Sequence, residues 1–305
     1  MGKAAVLRAV KVLATRRLPG EAWAELGPIE IGPLDGRRDD VEALIVSGDT
    51  VDDAVLDRLP SLRLVANYGV GYDNVDAEAC RARGVAVTNT PGVLDAATAD
   101  LAIALMLAVR RRVVEGNELV REGRWGSSWS ENPFLGRDLS GARLGIVGLG
   151  RIGGAVAKRA AAFDMHVVFH GRTHSADAGY RELDDLLREA DIVTVHTPLT
   201  PATTGLLSAE RLALLRDGAT LVNTARGAIV DEDALVAELV SGRISAGLDV
   251  FAHEPHVPDV LASLPNVVLT PHIGSATVET RAAMTRIVVD NVLALARGEP
   301  LLTAV

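Results

Sequence analysis

The chain has 305 residues, of which 48% are hydrophobic, and its formal net charge at pH 7 is −9. This length is enough for two domains with separate cores, and the hydrophobic content excludes a disordered chain. The acidic balance argues against a general nucleic-acid or anionic-membrane partner, because both require a basic surface.

Cys80 is the single cysteine, so neither an internal disulfide nor a thiolate metal cluster is expected. Charged residues interrupt the N-terminal region, which therefore lacks the apolar core of a signal peptide. No apolar run reaches the length of a membrane-spanning helix. We expect a cytoplasmic protein.

The N-terminal part of the chain alternates apolar strands with short helices, which predicts a parallel sheet covered on both faces. The predicted strands are 10–14, 43–46, 62–66 and 85–87, and the predicted helices are 21–26, 52–59 and 76–83. The stretch 67–71 places a GxG after one of these strands but lacks a third glycine. We interpret it as a backbone-lined ligand loop rather than a dinucleotide site.

A long helix is predicted over 96–121, with Asp95 as its N-cap. Its first half is apolar on all sides, which indicates burial between two domains or against a second subunit. Trp125 and Trp129 follow in a Gly/Ser-rich segment, and we interpret them as packing or interface residues.

From residue 143 onward, strands and helices alternate regularly, which is typical of a doubly wound dinucleotide domain. The predicted strands are 143–147, 166–170, 191–195, 219–223, 244–248 and 266–269, and the predicted helices are 151–163, 181–190, 208–215 and 231–240. A last helix is predicted over 277–297 with Gly298 as its stop, late enough to return the chain to the first domain.

The sequence Gly148-x-Gly150-x-x-Gly153 stands between a predicted strand and a predicted helix. In this context the three glycines serve a tight turn, close approach of a pyrophosphate, and helix–strand packing. The N–H groups at the helix start suit the phosphates. The stretch therefore predicts a dinucleotide site.

The end of the next strand points to the kind of dinucleotide. An NAD site carries an acid about twenty residues after the glycines, for the ribose 2′-hydroxyl. Here the strand ends in His170-Gly-Arg172-Thr173, and the next acid, Asp177, lies well beyond it. Because guanidinium suits phosphate oxygens, we expect Arg172 and Thr173 to bind the 2′-phosphate of NADP, and NADPH to be favoured over NADH.

Three later strands are followed by a cation, a carboxylate and an imidazole, namely Arg226, Glu254 and His272. The carboxyl ends of parallel strands meet at one edge of a sheet. We therefore expect these three side chains to converge beside the glycine turn. Each could singly be structural, but together they favour a catalytic site.

The chain resembles the D-isomer-specific 2-hydroxyacid dehydrogenase family over nearly its whole length. The matching stretches are 67–76, 138–153, 196–200, 223–232, 247–255 and 271–275. The resemblance implies two Rossmann-like α/β domains with parallel sheets: a flavodoxin-like substrate-binding domain of residues 1–95 and 277–305, and a dinucleotide-binding domain of residues 96–276. It also implies a homodimer formed through the cofactor domain and helix 96–121.

By this resemblance Arg226 binds the substrate carboxylate and carbonyl, His272 is the acid/base, and Glu254 orients it and favours its charged form. Val70 and Gly71, with Arg226 and His272, are the expected substrate-binding residues. The expected cofactor-binding residues are Thr98, Gly148, Leu149, Gly150, Arg151, Ile152, Gly153, Arg172, Thr173, Thr197, Pro198, Thr203, Thr224, Ala225, Asp249, His272 and Gly274.

Within the family, the strand end at Arg172 is similar to that of NADPH-preferring glyoxylate/hydroxypyruvate reductases. The chain stops soon after its last helix, without the regulatory extension of phosphoglycerate dehydrogenases. We therefore expect NADPH-dependent reduction of glyoxylate or hydroxypyruvate to the D-2-hydroxy acid. The alternatives are an NAD-preferring dehydrogenase for another D-2-hydroxy acid and, from a different class, a non-catalytic nucleotide-sensing protein of the corepressor type. His196 is interpreted as structural. The pairs His170/His174 and His253/His256 lack a third ligand, so no metal is expected.

Overall fold

The structure is a computed structural model that describes residues 10–126 and 134–305. It divides into two compact units. The terminal unit extends to Leu94 and resumes with Ser275–Val305, whereas the central unit spans Asp95–Gly274. Each unit contains one sheet of parallel strands, so the predicted α/β class is confirmed. None of the described helices is both long enough and apolar enough to cross a membrane.

The secondary structure follows the chain as alternating strands and helices. The strands are β1 (Val12–Ala14), β2 (Glu30–Ile31), β3 (Ala43–Val46), β4 (Leu64–Asn67), β5 (Ala86–Thr88), β6 (Arg143–Val147), β7 (His166–His170), β8 (Ile192–Val195), β9 (Thr220–Asn223), β10 (Ser245–Leu248) and β11 (Val267–Leu269). The α-helices are α1 (Asp53–Arg58), α2 (Ala77–Ala82), α3 (Asp95–Arg110), α4 (Val113–Arg121), α5 (Arg151–Ala161), α6 (Leu183–Glu189), α7 (Ala209–Leu212), α8 (Glu232–Val240), α9 (Asp259–Ser263) and α10 (Val278–Arg297).

The sheet of the terminal unit has the order β2-β1-β3-β4-β5. Its inner strands β3 and β4 are buried along their full length, which explains their uninterrupted apolar sequences. Asp52 and Asp76 begin α1 and α2 by accepting the backbone N–H groups of Val55 and Ala79. The long helix α10 ends at Gly298, whose φ of 66° is favourable for glycine.

The sheet of the central unit has the order β11-β10-β9-β8-β6-β7, with every pairing parallel. The strand order therefore reverses at β6, where β7 lies on one side and β8 on the other. Ligands of open α/β sheets bind outside the carboxyl ends of the strands at such a point. We therefore expect a ligand of this unit to bind outside the carboxyl ends of β6 and β8.

The predicted helix 96–121 is wrong in one respect, since the structure has two helices, α3 and α4. The backbone N–H of Arg137 donates to the Arg110 carbonyl at 2.7 Å, at the point where α3 ends. Arg112 then adopts a left-handed φ of 53°, while its guanidinium pairs with Glu115 and lies over the Phe134 ring. Contacts with residues distant in sequence therefore end α3 at Arg110. At its other end, Asp95 is the first residue of α3 rather than the predicted N-cap.

Smaller differences concern short elements. The sequence pattern does not predict β2 or α9, and the predicted helix 21–26 is a 3₁₀ helix. A second 3₁₀ helix, Gly227–Ile229, is also not predicted by the sequence pattern. The interpretation of Trp129 lies outside the described residues, whereas Trp125 is described and 67% exposed.

Candidate active site

The glycine turn after β6 has a separate geometric reason for each glycine. Gly148 has φ 101°, which favours glycine. A Cβ on Gly153 would lie 2.1 Å from the Gly148 carbonyl oxygen, so any side chain there would push α5 away from the turn. A Cβ on Gly150 would meet nothing within 4 Å, because the backbone borders open space at the start of α5. The N-terminal N–H groups of α5 are therefore accessible to a phosphate.

Two hydroxyls at the ends of the neighbouring strands are buried without a hydrogen-bond partner among the described residues. They belong to Thr197, which follows β8, and Thr224, which follows β9. A Cβ on Gly148 would lie 2.9 Å from Thr197 Cγ2, so this threonine borders the glycine turn. Buried polar groups without partners are uncommon and call for a ligand or an ordered water. These two fit the polar groups of a dinucleotide.

Arg226 lies on the loop after β9, and the buried Asn223 shapes that loop. The Asn223 side chain accepts the N–H of Ala225 at 3.0 Å and donates to the Arg226 carbonyl at 2.8 Å. The next position, 227, requires glycine, because a Cβ there would lie 1.9 Å from the Phe251 carbonyl carbon. The backbone on both sides of Arg226 is thus fixed. Asn223 was not singled out from sequence, although an Asn at a strand end is a known turn signal.

His272 and Glu254 form the central pair of the site. His272 Nδ1 lies 2.7 Å from Glu254 Oε2, and Glu254 Oε1 accepts the N–H of Phe251 at 3.1 Å. Burial of the carboxyl raises the pKa of Glu254, but the His272 hydrogen bond and charge, with Arg226 nearby, outweigh it and hold that pKa below its ordinary value. Glu254 is therefore a carboxylate at neutral pH, and His272 Nε2 is left for a reacting group.

Asp249 determines the shape of the loop that carries His272. Its carboxylate is fully buried and accepts hydrogen bonds from the Thr270 hydroxyl at 2.6 Å and from the N–H groups of Ile273 and Gly274 at 2.8 Å. Burial raises the pKa of Asp249, and these hydrogen bonds oppose that shift. His272, between these donors, has a left-handed φ of 53°.

The remaining expected cofactor residues of the central unit surround this edge of its sheet. A Cβ on Gly274 would lie 3.3 Å from Asp249 Oδ2 and 3.4 Å from Thr98 Cγ2, so these three residues lie together. Thr203 uses its hydroxyl within its own turn, donating to the Pro198 carbonyl at 2.6 Å. Leu149, Arg151 and Ile152 occupy the glycine turn and the start of α5, and Leu149 is 41% exposed.

Arg172 and Thr173 lie exposed just beyond the end of β7. No described hydrogen bond or ion pair involves the Arg172 guanidinium. Asp177, the nearest following acid, accepts the N–H of Gly179 at 2.7 Å and so closes its own turn. His174 stacks on Tyr180 at a ring-centroid distance of 4.7 Å.

Val70 and Gly71 lie in the terminal unit, on the loop after β4. The loop carbonyls bond to nearby donors, for example Asn89 Nδ2 to the Val70 oxygen at 2.9 Å. No described hydrogen bond uses the N–H of Val70 or Gly71. The loop thus carries two amide donors without partners in the described part of the chain.

Comparison with known proteins agrees with this geometry. Residues 103–274 match the family described as D-isomer specific 2-hydroxyacid dehydrogenase, NAD binding domain. The glyoxylate reductase of Pyrococcus furiosus is 46% identical over 312 residues, which cover 95% of this chain and 93% of that enzyme. The chain belongs to the D-isomer specific 2-hydroxyacid dehydrogenase family. The resemblance stated from sequence is thereby confirmed.

Two solved structures show the same fold over nearly the whole dehydrogenase. A Thermus thermophilus protein has a TM-score of 0.90 at 48% identity, and the match covers 97% of this chain and all 100% of that one. The NADPH-dependent glyoxylate/hydroxypyruvate reductase of Sinorhizobium meliloti, solved with NADP and malonate, has a TM-score of 0.87 at 38% identity. That match covers 97% of each chain.

The other histidines of this dehydrogenase have identifiable structural surroundings. Burial lowers the pKa of His196 to about 3, and its Nε2 lies 2.9 Å from the Thr194 hydroxyl. His170 Nδ1 lies 3.1 Å from the Arg181 carbonyl, and the backbone N–H of His256 donates to the His253 carbonyl at 2.9 Å in a turn. Among the described residues no group of three His, Cys, Asp or Glu side chains could hold a metal ion.

Proposed function

We propose that this dehydrogenase reduces glyoxylate or hydroxypyruvate to the corresponding 2-hydroxy acid, with NADPH as the hydride donor. The observation that carries the proposal is the His272–Glu254 pair, 2.7 Å apart, on the unit that also contains the glycine turn. Reduction of a 2-oxo acid requires a hydride at the carbonyl carbon and a proton at its oxygen. The substrate class comes from the Pyrococcus and Sinorhizobium relatives, whose names state it.

The residues of the central unit fit a nicotinamide dinucleotide. The accessible N–H groups at the start of α5 would hold the pyrophosphate, and the buried hydroxyls of Thr197 and Thr224 would gain a polar partner. When bound, the reduced nicotinamide supplies the hydride. Thr98, Asp249 and Gly274 would border the cofactor from the α3 side.

The preference for NADPH rests on the end of β7. Arg172 is exposed there without a described partner, and the nearest following acid, Asp177, accepts the Gly179 N–H within its own turn. A guanidinium without a competing acid favours a 2′-phosphate over a ribose 2′-hydroxyl. The Sinorhizobium reductase, described as NADPH-dependent, gives the proposal independent support.

The protein residues act on the substrate as a binding and proton-transfer set. Arg226 binds the substrate and stabilises the charge that develops on the carbonyl oxygen. His272 donates a proton to that oxygen from Nε2, because Nδ1 faces Glu254. Glu254 holds the ring in place through its contact with Nδ1. Val70 and Gly71 bind the substrate carboxylate through their backbone N–H groups.

We extend the proposal to the units and the assembly. The central unit would be the cofactor domain and the terminal unit the substrate domain. A second copy of the chain would cover α4, a helix without any buried residue, on which Val113, Val114 and Val120 are 54%, 41% and 57% exposed. Exposed apolar surface of this kind favours a partner. A Val120→Glu variant should dissociate to a monomer in light scattering, whereas an unchanged dimer would contradict this interface.

The deciding experiment is a panel of small 2-oxo acids assayed with NADPH and with NADH. We expect turnover of glyoxylate or hydroxypyruvate, and a higher kcat/KM with NADPH. Equal or better use of NADH would contradict the cofactor preference and support the NAD-preferring alternative. Binding of NADPH without turnover of any 2-oxo acid would reject the enzyme function and support a nucleotide-sensing binding protein.

A further inference from the structure

The substrate loop of the terminal unit, residues 69–71, is held by its carbonyl groups. The Gly69 carbonyl accepts the N–H of Thr90 at 3.0 Å, and the Gly71 carbonyl accepts Asn67 Nδ2 at 2.8 Å. The carbonyl between them, that of Val70, accepts Asn89 Nδ2 at 2.9 Å. Among the described hydrogen bonds, Asn89 alone holds the Val70 carbonyl.

This hydrogen bond has a consequence on the opposite side of the peptide group. A trans peptide is planar, so the C=O of one residue and the N–H of the next point in opposite directions. Fixing the Val70 carbonyl therefore fixes the direction of the Gly71 N–H, and fixing the Gly69 carbonyl does the same for the Val70 N–H. Asn89 thus aims one of the two amide groups assigned above to the substrate carboxylate.

Asn89 is itself held by a segment more than two hundred residues later in the chain. The Thr303 hydroxyl donates to the Asn89 carbonyl at 2.7 Å, and the Asn89 N–H donates to the Thr303 carbonyl at 3.3 Å. Both backbone polar groups of Asn89 are thereby bonded to one residue. The next residue, Ala304, pairs antiparallel with Thr88, and Val305 donates to the Val87 carbonyl, so the segment covers the open edge of β5.

Asn291 of α10 fixes this segment in turn. Its side chain is fully buried, donates to the Thr303 hydroxyl at 3.0 Å and accepts the N–H of Leu302 at 2.9 Å. A buried amide in the middle of a helix is costly unless its hydrogen bonds are made, and here they are made by the segment that holds Asn89. The contacts form one continuous chain from α10 to the substrate loop.

We propose that Asn89, held in place by Thr303 and Asn291, is a positioning residue that aims the Gly71 N–H at the substrate carboxylate. The inference rests on the proposed function, because that function assigns the carboxylate to Val70 and Gly71. Asn89 need not contact the substrate. It acts through the Val70–Gly71 peptide, so its loss should weaken binding of the oxo acid and leave cofactor binding intact.

The test compares Asn89→Ala with Thr303→Val, a nearly isosteric change that removes only the hydroxyl. The control is Leu302→Ala, on the same segment, whose side chain is 61% exposed. For Asn89→Ala we expect the KM for glyoxylate and the inhibition constant of oxalate to rise about five- to tenfold, the worth of one hydrogen bond. The Kd of NADPH, from fluorescence titration, should stay within about twofold.

Thr303→Val should raise the same two constants by about two- to threefold, since it loosens Asn89 without removing its amide. The double variant should fall short of the product of the single effects, because both substitutions act through one side chain. Leu302→Ala should match the parent protein. Thermal unfolding of each variant establishes that it is folded. If Asn89→Ala does not fold, the effect of Thr303→Val on the two constants decides the test.

Several results would overturn the inference. Unchanged KM and oxalate inhibition in a folded Asn89→Ala variant would do so, as would a parallel loss of NADPH affinity, which indicates general loosening. If the parent protein reduces no 2-oxo acid, the proposed function fails, but calorimetric titration with oxalate still tests the positioning of a carboxylate. Oxalate binding that Asn89→Ala leaves unaltered would then reject the positioning role.

Discussion

Substitution of Glu254 by Gln tests the pair at the centre of the proposed chemistry, because it keeps the shape of the side chain and removes its charge. His272 Nδ1 and Glu254 Oε2 are 2.7 Å apart, within the range of a charge-assisted hydrogen bond. The proton on His272 is one reason why the pKa of Glu254 is lowered. Glu254→Gln replaces this charged acceptor with a neutral amide in the same place.

The size of the effect follows from the exposure of the two groups. A hydrogen bond to a charged group contributes about 1.5–3 kcal/mol. The side chains of His272 and Glu254 are 46% and 33% exposed, so solvent screening places the pair at the lower limit of that range. Since a factor of ten in rate corresponds to about 1.4 kcal/mol, Glu254→Gln should lower the reductive kcat/KM about tenfold, with the largest loss on the alkaline side of the pH profile.

The profile is measured from initial rates of NADPH oxidation across the pH range. Glu210→Gln is the control. Glu210 lies exposed on α7, so this substitution removes the same charge at a position outside the site. On the acid side of the profile, the group that titrates is Glu254. The pKa of Glu254 is lowered, so the pair persists at neutral pH and is lost only as the pH falls below about 4.3. An alkaline limb that stays in place, or moves to higher pH, would refute the role of the pair.

Three further predictions address single residues. His272→Ala should lower kcat by about 10²- to 10⁴-fold, the usual contribution of a general acid, with the Kd of NADPH near that of the parent; retained turnover would reject His272 as the acid. Arg172→Ala should raise the KM for NADPH about tenfold or more while that for NADH changes little, and equal effects would remove the 2′-phosphate role. Because the pKa of His196 is lowered to about 3, the unfolded chain binds a proton below pH 6.5 that the folded chain does not. Stability should therefore fall with pH by up to about 2 kcal/mol between pH 7 and 5. His196→Gln should reduce this acid-induced decrease in Tm, and an unchanged decrease would contradict it.

The sequence was a sufficient guide wherever local chemistry determines local structure. Strands β6 and β7 and the glycine turn have the predicted bounds, because a buried apolar run followed by GxGxxG leaves few alternatives. Arg226, Glu254 and His272 could be grouped for a related reason. Each follows a parallel strand, and parallel strands of one sheet end on the same side.

Features that depend on partners far along the chain could not be predicted in this way. The predicted helix 96–121 is broken because Arg137 donates to the Arg110 carbonyl, a contact that no helix periodicity encodes. The hydrogen bonds of Asn89 and Asn291 meet at Thr303, more than two hundred residues from one and twelve from the other. Neither asparagine belongs to a motif that indicates a function, so only the folded chain shows what they hold.

Asp249 can be located from the sequence, but its role depends on hydrogen bonds to residues more than twenty positions later in the chain. The family resemblance made it a candidate contact of the cofactor, and that expectation stays open. In the fold its carboxylate already accepts three hydrogen bonds, and a carboxylate offers about four acceptor positions. Two of the donors, the N–H groups of Ile273 and Gly274, follow His272 directly, and His272 holds a left-handed φ of 53° that an ordinary loop would not retain. Asp249 therefore stabilises the backbone that aims the imidazole at Glu254, a role that neither its position in the sequence nor its residue type could indicate.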